Sequence, residues 1–392
     1  MNHICKHLLL VTALVLPAFS RAAELDVTAV NKLPFARANQ TIELTAAQLA
    51  PLGAKVLDTI HVRDNAGKEL LCQAVDTNYD AYHLPDIVIF QADFAPNESK
   101  TFTVMTGAQQ EFSKEQFKAF GRFVRERFDD FAWENDRIAH RMYGKGLETW
   151  EGEPLSSSTV DIWSKRTPRL VVNDWYLTAD YHEDHGDGAD FYSAGLTRGC
   201  GGNGLWADGR LWTSRNFVDS RELANGPIRV MFELEYAPFD VNGISVSEVK
   251  RITLDAGSQL DHFESFYKQY TRPGKEQKLT TGIGLKKVKG EQKEANPEHG
   301  WLIEWEKMEK NAGNQGVAIV MKPSLWEGQA EDKLNDIILA KLADGDVASY
   351  WAGFCWDKAG LYTNEAAWKQ YVDEFAQGLA SPIEVSVKTT DK

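Results

Sequence analysis

Between Trp175 and Trp206 the chain reads W-Y-L-T-A-D-Y-H-E-D-H-G-D-G-A-D-F-Y-S-A-G-L-T-R-G-C-G-G-N-G-L-W, a run that apolar packing alone would not select. It holds His182 and His185, Glu183, Asp184, Asp187 and Asp190, Tyr176, Tyr181 and Tyr192, and Arg198, all set between glycines. Imidazole, carboxylate, phenol and guanidinium are the groups that bind sugars and metals and move protons. The plain alternative is a polar, glycine-rich surface loop. A second block, E-N-D-R-I-A-H-R-M-Y-G from Glu134 to Gly144, adds Glu134, Asn135, Asp136, Arg137, His140, Arg141 and Tyr143. Its plain alternative is a solvated strand edge with local ion pairs that contribute little.

Three chemistries fit these residue types. The first is β-elimination on a uronic acid, where the proton beside the carboxylate is not acidic. An enzyme must neutralise that carboxylate, remove the proton with a base and protonate the leaving oxygen. His182 or His185 would be the base and Tyr192 or Tyr181 the acid. Arg198 and Arg141 would hold the carboxylate, with His140, Tyr143, Glu134 and Asn135 completing the binding surface. The second is glycoside hydrolysis by paired carboxylates, drawn from Glu134 and Asp136 or from Glu183, Asp187 and Asp190. With 57 acids in the chain the choice is almost unconstrained. The third is a divalent metal, Zn²⁺ or Ca²⁺, on H-x-x-H with Asp187 and Asp190. That spacing misses both H-E-x-x-H on a helix and the EF-hand loop. His61, His83, His262 and His299 read as structural. There is no P-loop, no dinucleotide glycine motif and no G-x-S-x-G.

The elements that must position these groups read as strands. From Ala23 to Thr106, short period-2 runs such as Leu25–Val30 and Asp86–Gln91 are broken by turns such as Asp64-Asn65-Ala66-Gly67, which predicts an N-terminal β module over 23–106. The spacing of Gly121 to Gly146 fits a charged helix or two strands about Glu134-Asn135-Asp136, and the alternation of Ile138, His140 and Met142 with their neighbours favours strands, which continue at Ile228–Tyr236, Val246–Leu254 and Leu260–Tyr270. Lys275 to Glu298 reads as a strand pair with an exposed loop. One helix stands out: Trp368, Tyr371, Val372, Phe375 and Leu379 form a single apolar stripe after a cap at Thr363 or Asn364. The spacing predicts that it covers a sheet.

Composition narrows the setting. The 12 Trp and 12 Tyr suit sugar rings as well as a core. Residues 1–22 read as a secretory signal peptide, with Lys6 before an apolar run that is too short to span a bilayer. Cys5 precedes that run, so no lipid anchor is expected. Removal of this segment takes away Lys6, Arg21 and no acid, moving the formal charge from −14 to −16. Such a surface disfavours nucleic acid and anionic membranes. Cys72, Cys200 and Cys355 then remain, an odd number that reads as buried thiols.

The two polar blocks (His182 to Tyr192 as H-x-x-x-G-x-G-x-D-F-Y, followed by G-C-G-G), together with N-G-P-I-R and the closing Y-W-A-G-F-C-W-D-K-A-G, resemble a family of uncharacterised secreted bacterial proteins, domain of unknown function 4861. The resemblance spans nearly the whole mature chain. It implies a mostly β, galactose-mutarotase-like supersandwich with few helices, its main region being residues 107–392. Because the family often accompanies enzymes that degrade pectin and other polyuronates, it also implies an acidic oligosaccharide or polysaccharide as ligand. The expectation is a periplasmic or secreted lyase. A hydrolase or epimerase on the same substrates, or a non-catalytic glycan-binding protein, is the alternative.

Overall fold

The computed structural model describes residues 23–78, 83–151, 155–178, 180–272 and 274–390. The expected signal peptide lies outside them. The described chain is mostly β. In the N-terminal module, Leu25, Val27 and Ala29 turn inward at alternate positions and meet Phe102, Val104, Ile42 and Phe90 in one small core. Two antiparallel sheets enclose that core. One of them is completed by the last strand, Glu384–Thr389, which pairs along Glu24–Val30. The module expected over 23–106 is therefore closed by residues from the far end of the chain.

The main body is a sandwich. An eight-stranded antiparallel sheet runs in the order Asp219–Asn225, Arg229–Val241, Ile244–Asp255, Leu260–Gln269, Val347–Trp356, Asn314–Val320, Trp301–Lys307, Gln292–Asn296. Its inner face packs on two five-stranded sheets. Phe232, Ile252, Phe263 and Tyr350 from the large sheet meet Phe131 and Ile162 from one partner and Ile283 and Ile338 from the other. Each such side chain stabilises the fold by about 1.5–3 kcal/mol on leaving water. The region from Lys275 to Glu298 does hold two strands, Thr280–Lys286 and Gln292–Asn296, but they are not partners. The first pairs with Cys200–Ala207 and Asn335–Lys341, the second with Trp301–Lys307. A local turn signal could not reveal that they belong to different sheets.

The predicted helix spans Glu365–Ala380, with the Asn364 side chain accepting from Ala367 N at 3.0 Å. Trp368, Val372 and Ala376 bury against Trp301, Ile303, Ala318 and Val320 on the outer face of the large sheet. Tyr371, Phe375 and Leu379 lie on the flank of this contact, partly buried. Cys72, Cys200 and Cys355 are buried free thiols. No helix among the described residues is long and apolar enough to cross a membrane.

Candidate functional site

The two polar blocks meet at Arg141. Its guanidinium donates to Asp161 Oδ2 (2.7 Å), Asp190 Oδ2 (2.9 Å) and the Tyr181 hydroxyl (3.1 Å), and lies 3.6 Å from Asp130 Oδ2. Tyr143 donates to Asp161 Oδ2 at 2.8 Å. The short helix Val172–Tyr176 and the rings of Trp163, Trp175 and Tyr176 seal this centre, so Arg141 is 3% exposed. Its guanidinium is saturated by protein carboxylates and cannot receive one from a sugar. Burial holds the Asp130 carboxyl up at about 7, although Arg141 and Arg127 pull it down. His182 sits at the rim, half exposed, with Nδ1 3.1 Å from the Asp190 carbonyl.

The other expected residues disperse. His140 precedes Arg141 on one strand and so points to the opposite face. It lies wholly buried, stacked on Trp133 at 5.1 Å with Nε2 2.9 Å from Asp261 Oδ2. Glu134 accepts from Lys165 Nζ (2.7 Å) and from the amides of Val171 and Val172, so it caps the short helix. Asn135 fixes its own hairpin and donates to the carbonyls of Asp255 and Ser258. Tyr192 is buried in the main core, with Lys286 Nζ 4.9 Å from its ring centre. Arg198 is buried and donates to the Ser158 carbonyl at 2.8 Å; burial brings its pKa down to about 10. His185 is exposed. Asp187 and Asp190, the expected metal ligands, face different guanidinium groups, those of Arg169 (2.5 Å) and Arg141. Among the described residues no group of three ligating side chains is placed to hold a metal ion.

A different region has the form of a site. The outer face of the eight-stranded sheet is the floor of an open trough of about 750 Å³. The N-terminal module forms one wall, and the flank of the Glu365–Ala380 helix forms the other. Inner positions of these strands are mostly apolar, with Glu248, Lys250, Asp261, Glu304 and Glu306 as buried exceptions, whereas the outer ones facing the trough carry charge. Register places Glu233 beside Arg251, Arg251 beside Glu264, and Glu264 beside Ser349. The next row is Met231, Thr253, His262 and Trp351.

His262 stacks on Trp351 (4.2 Å, 11°), and its Nε2 lies 3.0 Å from Ser349 Oγ. Burial, reinforced by Arg229, lowers its pKa to about 4, so the imidazole is neutral at ordinary pH. Glu264 is two residues along the same strand, about 7 Å away at the backbone. Burial raises its pKa, opposed by Arg251 and assisted by Glu233. A neutral base and a carboxyl whose hold on its proton is strengthened by burial thus face one trough.

Among the described residues four arginines line the same space, and carboxylates neutralise two of them. Arg251 is held by Glu233 at 3.0 and 2.6 Å, and Arg229 forms a fork with Asp255 at 2.6 and 2.8 Å and reaches Glu43 at 2.7 Å. Among the described residues Arg37 donates to the carbonyls of Ser381 (2.9 Å) and Gly378 (3.4 Å) at the end of the helix and to no carboxylate. Arg137 has no carboxylate partner among the described residues and lines the trough near Tyr362 and Tyr371. The Glu134–Gly144 block therefore does contribute to this site, through Arg137 and through Asp136, whose Oδ1 accepts from Gly257 N at 2.7 Å on the rim. The sequence alone marks His262 as structural, and the trough gives it a different setting. The signal was its alternation with Glu264, but the neighbours that give it meaning, Arg251 and Trp351, adjoin it only once register is known.

A family model described as Domain of unknown function (DUF4861) matches residues 30–385. This chain belongs to that family. A relative, "Uncharacterized protein P7" of Formosa agariphila, is 32% identical over 94% of this chain and 96% of its own. Among solved structures, a protein in the glycosyl hydrolase family 38 from Enterococcus faecalis is similar, with TM-score 0.50 and 12% identity over 95% of this chain. An alpha-mannosidase from Enterococcus faecalis V583 gives TM-score 0.47 and 10% identity over 94% of this chain. This chain spans about half the length of each, 48% and 46%. The first likeness agrees with the layered β fold of this DUF4861 member.

Proposed function

We propose that this protein is a carbohydrate-active enzyme whose site is the trough, and that it cleaves uronic-acid-containing oligosaccharides by β-elimination. The observation that carries the reading is the pairing on one strand face of neutral His262 with Glu264, whose hold on its proton burial strengthens, beside two arginines that have no carboxylate partner among the described residues. In this scheme Arg37 and Arg137 neutralise the sugar carboxylate. His262 takes the proton from the adjacent carbon, the bond to the leaving oxygen breaks, and Glu264 gives that oxygen a proton. A carbon–carbon double bond remains in the product. Trp351 offers an aromatic wall for a sugar ring. The likeness in fold to a protein in the glycosyl hydrolase family 38 supports a saccharide ligand, and a signal-like segment at residues 1–22 supports export.

A second reading places the base at His182, because its imidazole is half exposed beside Tyr181 and Asp190. Polygalacturonate, alginate, glucuronan and ulvan oligomers are incubated with the protein while ultraviolet absorbance of the unsaturated product is followed. His262→Ala is expected to lower kcat by about 10²–10⁴-fold, with His182→Ala keeping most activity. The reverse pattern moves the site to His182. New reducing ends without absorbance change make the protein a hydrolase, and binding with neither makes it a glycan-binding module.

A further inference from the structure

We propose that the trough continues across a low saddle into a second groove, and that the two form one track for an acidic oligosaccharide several sugars long. This rests on the reading of the trough given above. The second groove, about 600 Å³, lies along the same seam between the N-terminal module and the main body. Asn39 lines both spaces.

The saddle is a fixed part of the fold. Asn39 has φ 51°, its amide donates to Asp93 Oδ1 at 2.7 Å, and its carbonyl accepts from Gln91 Nε2 at 3.2 Å. The same Gln91 nitrogen donates to the Ala256 carbonyl at 2.9 Å, tying module to body. Gly257 keeps the saddle low, since a Cβ there would come within 2.6 Å of the Asn39 side chain.

The chemistry of the second groove matches that of the first. Its acids are occupied locally: Asp64 accepts from the amides of Ala66 and Lys68, Asp93 from Asn39 N, and Glu98 from Ala95 N at 2.7 Å. Lys100 lies 3.5 Å from Glu98. Lys68 and Lys118 line the groove, exposed, and neither has a carboxylate partner among the described residues. A chain of formal charge −14 thus presents uncompensated cations on both sides of Asn39: Arg37 and Arg137 in the trough, Lys68 and Lys118 beyond it. Cations spaced along a groove select a polymer that repeats a carboxylate, and an acidic surface elsewhere confines that polymer to the groove.

Calorimetric titration with oligogalacturonates of two and of eight units tests the track without needing turnover. The octamer is expected to bind at least about tenfold more tightly than the dimer. The Lys68→Ala/Lys118→Ala double variant is expected to lose about tenfold on the octamer, so that the octamer-to-dimer ratio of affinities collapses. Both lysines are on the surface, and an unchanged thermal midpoint confirms folding. Equal affinity for the two lengths overturns the track, as does a double variant that keeps its length preference. Failure of both lengths to bind removes the acidic-sugar reading of the trough, and the track with it.

Discussion

At Arg141 a guanidinium meets three buried carboxylates, Asp130, Asp161 and Asp190. Removing one partner from such a set leaves the others charged and desolvated, which costs about 3–5 kcal/mol. Arg141→Met should lower stability by about that amount in urea denaturation while the soluble, folded fraction keeps its glycan binding. Loss of binding with unchanged stability would return Arg141 to the site. The contrast with His262 explains what single residues could disclose. Residue types near Arg141 were legible, but adjacent His140 and Arg141 cannot serve one site, because neighbours on a strand face opposite ways. His262 and Glu264 were visibly on one face, yet nothing local distinguished a catalytic imidazole from a satisfied one. The two groups also predict a pH profile. The base form of His262 is available above its pKa of about 4, and Glu264 keeps its proton above the usual carboxylate range. kcat/KM should therefore rise through about pH 4 and fall only above the range of an ordinary carboxylate, and Glu264→Gln should abolish that alkaline limb if Glu264 is the acid.

The elements divide by how local their causes are. The Glu365–Ala380 helix was legible because its cap, stripe and stop are contiguous. The short helix Val172–Tyr176 was not, since its N-terminal amides are satisfied by Glu134, 37 and 38 residues upstream. Glu384–Thr389 alternates like any edge strand, and its partner Glu24–Val30 is a non-local fact. The long helix forms a wall of the trough only because Gly316 admits Trp368: a Cβ at Gly316 would lie 2.4 Å from the indole. The indole is wholly buried and has no room to retreat. Gly316→Ala should displace the helix, destabilise the fold by about 1–3 kcal/mol and weaken acidic-glycan binding together. A variant less stable by this amount with unaltered affinity would show that the helix flank, with Tyr371 and Phe375, is not part of the binding surface.

At the scale of the whole molecule, the two layers of the main body meet near a group of acids with fewer donors than acceptor atoms among the described residues. Glu304 and Glu306 alternate on Trp301–Lys307 and share the inward face of Leu302. Neither oxygen of Glu304 has a hydrogen-bond partner among the described residues, and Glu306 Oε2, Asp336 Oδ2 and Gln315 Oε1 are in the same state. Burial, with Asp336, Glu306 and Glu291 adding to it and Lys293 opposing, pushes Glu304 up to about 9. Burial likewise carries Glu306 to about 7, against the pull of its Gln315 hydrogen bond and of Lys286, with Glu291 raising it further. Both carboxyls bind protons more tightly folded than unfolded. Their contribution is complete below an ordinary carboxylate pKa, about 4.3, and is lost as pH rises through 7 and then 9. Asp130, at about 7, acts in the same direction. Stability in urea should consequently fall between pH 5 and pH 9, with the sandwich loosening where its two layers bring like charges together. Glu304→Gln keeps the shape, supplies an amide donor and cannot ionise. It should raise the urea midpoint at pH 9 more than at pH 5 and flatten the dependence between them. An unchanged slope in that variant would mean that the acids are matched by protons or cations from solvent, and that the seam is held by its apolar contacts alone.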